Sequence, residues 1–98
     1  MLSKKYSKDK KSCQVTFELP AEVEAETVLL CADFTDWADA SKEMEPQEDG
    51  GFSITVALPA EHEYCFRYLL DGERWENEQE ADGFIPNPFG TQNSVVRL

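Results

Sequence analysis

From Ser12 to Leu19 apolar and polar residues alternate, with Cys13, Val15, Phe17 and Leu19 on one side of an extended chain and Ser12, Gln14, Thr16 and Glu18 on the other. A period of two predicts a half-buried strand, and Pro20, with no N–H for a ladder, ends it. The same pattern recurs at Phe52, Ile54, Val56 and Leu58, closed by Pro59, and at Tyr64, Phe66, Tyr68 and Leu70. Thr27 to Ala32 is a continuous apolar run, as in a strand buried on both faces, and Ser94 to Leu98 predicts a short closing strand.

Turn chemistry separates these runs. Glu48-Asp49-Gly50-Gly51 precedes the Phe52 strand, and Pro86-Asn87-Pro88-Phe89-Gly90 marks an irregular loop. Asp71-Gly72 leads directly from the Tyr64 strand into Glu73-Arg74-Trp75, a strong hairpin signal. Helical patterning is weak: Ala21 to Thr27 has no apolar stripe, and Trp37 to Lys42 is too short to stand alone. Six or seven short strands at this spacing predict an all-β, immunoglobulin-like antiparallel sandwich. The Cys–Trp–Cys arrangement of antibody domains is missing. One domain over residues 12–98 is expected, preceded by a basic, flexible arm over residues 1–11.

Charge narrows the choice of partner. The 98 residues carry 20 acids against nine Lys and Arg, a formal net charge of −11. Five of the nine basic residues (Lys4, Lys5, Lys8, Lys10 and Lys11) lie in the first eleven positions, whereas every acid but Asp9 lies beyond them. A body this acidic repels phosphate backbones and anionic headgroups, which disfavours nucleic acid and membrane surfaces. No stretch approaches the ~18 apolar residues of a membrane span, and the basic start lacks the apolar region of a secretory signal. Cys13, Cys31 and Cys65 are odd in number, far apart and set in apolar runs, as expected of reduced cysteines in a cytoplasmic protein. With the lone His62 they do not have metal-ligand spacing, so neither a metal nor a cofactor is expected. Glu76, Glu78, Glu80 and Asp82 lack EF-hand spacing and predict a solvated acidic loop.

Two tryptophans stand outside the apolar alternation. Trp37 follows the buried run in Asp33-Phe34-Thr35-Asp36-Trp37, and Trp75 follows the Asp-Gly turn between Arg74 and Glu76. An exposed indole offers a flat apolar face that suits the C–H face of a sugar ring, and polar groups at its rim suit the hydroxyls. Arg67, expected to point away from the Tyr64–Phe66–Tyr68 face, is a candidate donor, as are Thr91 and Asn93. These residues alone predict an aromatic platform with a polar rim.

The order Val15-Thr16-Phe17, Asp33-Phe34-Thr35-Asp36-Trp37, Asp49-Gly50-Gly51-Phe52, Tyr64-x-Phe66-Arg67-Tyr68-Leu69-Leu70-Asp71-Gly72-Glu73-Arg74-Trp75 and Asn87-Pro88-Phe89-Gly90-Thr91-Gln92-Asn93 resembles the glycogen-binding modules of carbohydrate-binding module family 48. These early-set domains occur at the N-terminus of isoamylases and branching enzymes, and in the β subunit of AMP-activated protein kinase. The resemblance runs from about Ser12 to Leu98. It implies an immunoglobulin-like sandwich that binds α-1,4-glucan without catalysis, for a glycogen-metabolising enzyme or kinase in trans. The carbohydrate-binding residues it implies are Trp37, Arg67 in place of a lysine, Trp75, Phe89 in place of a leucine, Thr91 and Asn93.

Three features depart from the family pattern. Arg67 changes donor geometry, one extra residue precedes Trp75, and Ala32 stands where a glycine is usual, which would rearrange the backbone if that glycine supplied a positive φ. A different class of function, an interaction module with an idle sugar site, is the alternative. An enzyme is disfavoured: one histidine builds no Ser-His-Asp set, and a small sandwich offers little cleft for a carboxylate pair.

Overall fold

The structure, a computed structural model, describes residues 2–33, 42–87 and 90–98. Their strands are β1 (Leu2–Tyr6), β2 (Ser12–Leu19), β3 (Val28–Ala32), β4 (Lys42–Glu43), β5 (Glu45–Pro46), β6 (Phe52–Pro59), β7 (Glu63–Leu70), β8 (Arg74–Glu76), β9 (Gly83–Pro86) and β10 (Gln92–Arg97). One sheet runs β1-β2-β6-β5 and the other β4-β3-β7-β10-β9, with β8 added to β7. All pairings are antiparallel, so the expected all-β sandwich is the fold that forms.

The alternating runs supply the inner faces. Cys13, Val15, Phe17 and Leu19 of β2 pack with Val28, Leu30 and Ala32 of β3, and with Phe66, Tyr68 and Leu70 of β7. Phe17 meets Phe66 edge-to-face across the sandwich at a centroid distance of 5.0 Å. Pairing of β2 with β6 over eight residues, Ser12↔Pro59 to Leu19↔Phe52, fixes a register that a one-residue slip would invert.

Part of the basic arm, expected to be flexible, forms a strand. Leu2–Tyr6 pairs with Cys13–Phe17 as an edge strand, and Lys4 lies opposite Val15, on the core side. From there its ammonium reaches Asp82 at 2.6 Å and the Arg97 carbonyl at 2.9 Å, closing the gap between the two sheets at that edge. A charged side chain on an edge strand also blunts it against pairing with another chain. The closing strand begins two residues earlier than expected, at Gln92, because Gln92 and Asn93 pair with Pro86 and Ile85 of β9. Among the described residues no helix is long and apolar enough to cross a membrane.

Candidate functional site: a junction on the outer face of the larger sheet

Strand β7 is paired along one edge with β3, over Phe66–Leu70. Its other edge is shared. Tyr68–Leu70 pair with β8 and Glu63–Phe66 with β10, so β8 and β10 lie end to end along β7. Arg67 sits at the change of partner. Trp75 is opposite Leu69, and extending the β10 register one residue beyond Ser94↔Phe66 brings Asn93 opposite Arg67. Alternation then puts Leu69, Arg67, Trp75 and Asn93 on the outer face, with Ile85 of β9 beside Asn93. Trp75 and Asn93 are two strand positions apart along one edge, roughly 7 Å.

The hairpin sets the side on which Trp75 emerges. Asp71 and Gly72 both have positive φ, 54° and 70°, and Glu73 N–H donates to the Leu70 carbonyl at 3.0 Å, as in a two-residue type I′ turn. Pairing nonetheless resumes at Leu70↔Arg74, so the loop holds three residues, Asp71 to Glu73. Had Glu73 itself paired with Leu70, as in a two-residue loop, Trp75 would oppose Tyr68 and point at the core. The three-residue loop is thus the register that turns the indole outward. Asp71 also accepts N–H bonds from Glu26 (2.7 Å) and Thr27 (3.0 Å), tying the turn to the chain entering β3.

Trp75 is 41% exposed. The Arg67 guanidinium carbon lies 5.1 Å from its ring centroid, within cation–π range. Arg67 is therefore engaged with the indole itself, rather than only offering donors to a ligand. Its Nε is buried and has no hydrogen-bond partner. A buried orphan donor is costly, and such costs concentrate where a surface is shaped for a ligand.

Asn87 joins the other half of the rim. Its amide nitrogen donates to Thr91 Oγ1 at 2.8 Å and to Asn93 Oδ1 at 3.1 Å, and its Oδ1 accepts from the Thr91 N–H at 3.2 Å. Because Asn93 Oδ1 is occupied in this way, the amide NH2 of Asn93 is the group left to meet an acceptor. Sequence reasoning passed over Asn87, reading Pro86–Gly90 as loop punctuation; an Asn able to bridge its own turn was the available signal.

The acidic segment after β8 differs from the solvated loop expected. Glu78 is 2% exposed, and its Oε1 accepts from the Tyr68 hydroxyl at 3.0 Å. Its Oε2 accepts from the Glu80 N–H at 2.9 Å, and its own N–H donates to Ser94 Oγ at 2.9 Å. Ser94, also buried, donates to Asn77 Oδ1 at 3.2 Å. Burial, followed by the nearby Glu78 charge, raises the Tyr68 hydroxyl far above its ordinary range, so it stays a donor. Burial also works to raise the Asp82 carboxyl, but hydrogen bonds from Lys4 and the Arg97 N–H outweigh it and hold that group below its ordinary value.

A cleft of about 580 Å³ opens on the opposite side of β8 from Trp75. It lies between the end of β2 and the segment after β8, and Glu18, Glu22, Glu76 and Glu80 line it beside Arg74. Arg74 donates to the Val23 carbonyl at 3.0 Å. Among the described residues no group of His, Cys, Asp or Glu is arranged to hold a metal ion. Cys65, its thiol pushed up by burial and then by the Asp33 and Glu63 charges, is a poor nucleophile.

Of the six expected binding residues, Arg67, Trp75, Thr91 and Asn93 fall on or beside this junction, while Trp37 and Phe89 lie outside the described residues. Ala32 is buried in β3 opposite Phe66 and is not among the residues of positive φ, so the substitution for glycine costs no backbone strain at that position. Comparison with protein-family models and with curated proteins finds no match.

Proposed function

We propose that the chain is a non-catalytic α-1,4-glucan-binding module that grips sugar on the outer face of the larger sheet. The observation that carries this reading is an exposed indole braced by Arg67, in line with Asn93 along one strand edge. A pyranose ring covering Trp75 buries apolar area without stranding a polar atom, and its hydroxyls then face the Arg67 and Asn93 donors. The exposed Ile85, on the far side of Asn93, extends the apolar footprint for a longer chain. So shallow a platform desolvates few sugar atoms, and affinity is expected to be weak. The likeness of the strand and loop motifs to family 48 modules supports the same ligand class. The same likeness supports a partner enzyme or kinase in trans, and the odd number of widely spaced cysteines supports a cytoplasmic location.

A second reading, a protein-docking module with an idle sugar site, is favoured by the same guanidinium, because it covers one face of the Trp75 ring.

Titration with maltoheptaose, followed by amide and indole resonances, separates the two. Saturable shifts at Trp75, Arg67, Thr91 and Asn93 are expected, and Trp75→Ala, still folded, is expected to abolish them. No response at millimolar sugar overturns the glucan reading and leaves the docking one.

A further inference from the structure

We infer that Glu78 is a positioning residue for the Trp75–Asn93 face, acting through Tyr68 and Ser94 to hold β8 in line with β10. The inference takes its ligand from the glucan reading, but its geometry is independent of that reading.

Strand β8 is only three residues long and, among the described residues, pairs with β7 alone. A strip so short does not by itself fix the direction of an indole. Beyond Glu76 the chain must also leave the edge of β7, because β10 takes that edge from Phe66 onward. At this crossing Glu78 turns inward, and a buried carboxylate is tolerated only where hydrogen bonds satisfy it.

Its bonds to Tyr68 and Ser94 both end beside a residue of the platform. Tyr68, which donates to Oε1, is next to Arg67 and opposite Glu76. Ser94, which accepts the Glu78 N–H, is next to Asn93. Asn77, bonded by the Ser94 hydroxyl, is two residues after Trp75. The circuit thus runs beneath the junction on its core side and bridges β7, β10 and the segment leaving β8, while the platform residues emerge from the same three pieces on the outer side. An apolar side chain at position 78 would fill the space equally well. A carboxylate with directional acceptors fixes where the pieces sit as well as filling it.

The test uses the full chain and two readouts: the Trp75 indole and Asn93 side-chain amide resonances without sugar, and maltoheptaose affinity. Glu78→Gln keeps the shape and the acceptor for Tyr68 but sets an amide N–H2 against the Glu80 N–H. Ser94→Ala and Tyr68→Phe cut the circuit at its β10 and β7 ends, and decide the matter should Glu78→Gln not fold. Displaced Trp75 and Asn93 resonances with affinity weakened about tenfold, the loss of one or two buried hydrogen bonds, are expected in each folded variant. Variants that lose only melting temperature, with both resonances and the affinity as in the wild type, overturn the inference and reduce the circuit to fold stability. If the wild type binds no maltoheptaose, the glucan reading fails, and the resonances alone decide the positioning role.

Discussion

Arg67 shows two opposed energies on one side chain. Its guanidinium over Trp75 is worth about 0.5–1 kcal/mol at a partly exposed site, whereas a buried donor without a partner costs about 1–3 kcal/mol. The larger number sets the sign. Arg67→Met keeps the packing of the stem and removes the orphan Nε, so urea denaturation is expected to show unchanged or slightly raised stability. Maltoheptaose affinity is expected to fall in the same variant; a variant both less stable and fully competent for sugar would contradict this account. At Asn87 the argument turns on amide direction. Asn87→Asp sets a carboxylate oxygen against Asn93 Oδ1, 3.1 Å from the present donor, and should flip the Asn93 amide toward it. A changed Asn93 side-chain resonance and a several-fold loss of sugar affinity are the expected outcome, because the platform then presents an acceptor where it had a donor.

Parity governs at the scale of the element. The Asp71-Gly72 hairpin was legible in the sequence, since few dipeptides accept two positive φ angles in succession. That the loop holds Glu73 as well, and that this register turns Trp75 outward, follows only from the pairing Leu70↔Arg74. Inserting an alanine between Arg74 and Trp75 is expected to pair Trp75 with Tyr68 and direct it inward. The indole signal should then lose its sugar response, and the fold should weaken through overpacking, by about 1–3 kcal/mol in denaturant. An insertion variant that still binds sugar through Trp75 would refute the parity argument. The N-terminal segment teaches the reverse. Its lysines suggested a solvated tail, yet Leu2, Lys4 and Tyr6 alternate with Ser3 and Lys5 on a strand whose partner is the edge of β2. A weakly apolar edge strand leaves little signal in the sequence, because only one of its edges and half of one face are covered.

Across the whole molecule the net charge of −11 makes carboxylate pairing decisive. Asp82 is one carboxylate with a cation in place: Lys4 joins it from the opposite sheet at a salt-bridge distance of 2.6 Å. Its carboxyl is held below the ordinary value, so the folded state keeps it ionised where the unfolded chain would protonate it. The stability it adds is therefore fully present above the unfolded value of about 3.9 and is lost as the pH falls through the lower folded value. Asp82→Asn is expected to lower the melting temperature at pH 7, with the gap to the wild type closing as the pH falls below the unfolded value and through the lower folded one. A gap that persists in acid would assign the loss to packing rather than to charge. The core itself rests on a few large side chains. Phe17, fully buried and in edge contact with Phe66, is expected to cost about 3–5 kcal/mol on change to alanine, measured by urea denaturation.

The sequence by itself determined the strands that carry the core, because a period of two with β-branched and aromatic residues on one side leaves a chain few other ways to bury apolar area. It also determined the Asp-Gly turn and the choice of Arg67, Trp75, Thr91 and Asn93 as surface candidates. Only the tertiary structure decided that β8 and β10 share one edge of β7, since strand order is set by long-range pairing and no local pattern encodes it. The same pairing decided the roles of Asn87 and Glu78. Both are polar residues in polar segments, indistinguishable from solvated neighbours until the fold brings Thr91 and Asn93 to one and Tyr68 and Ser94 to the other.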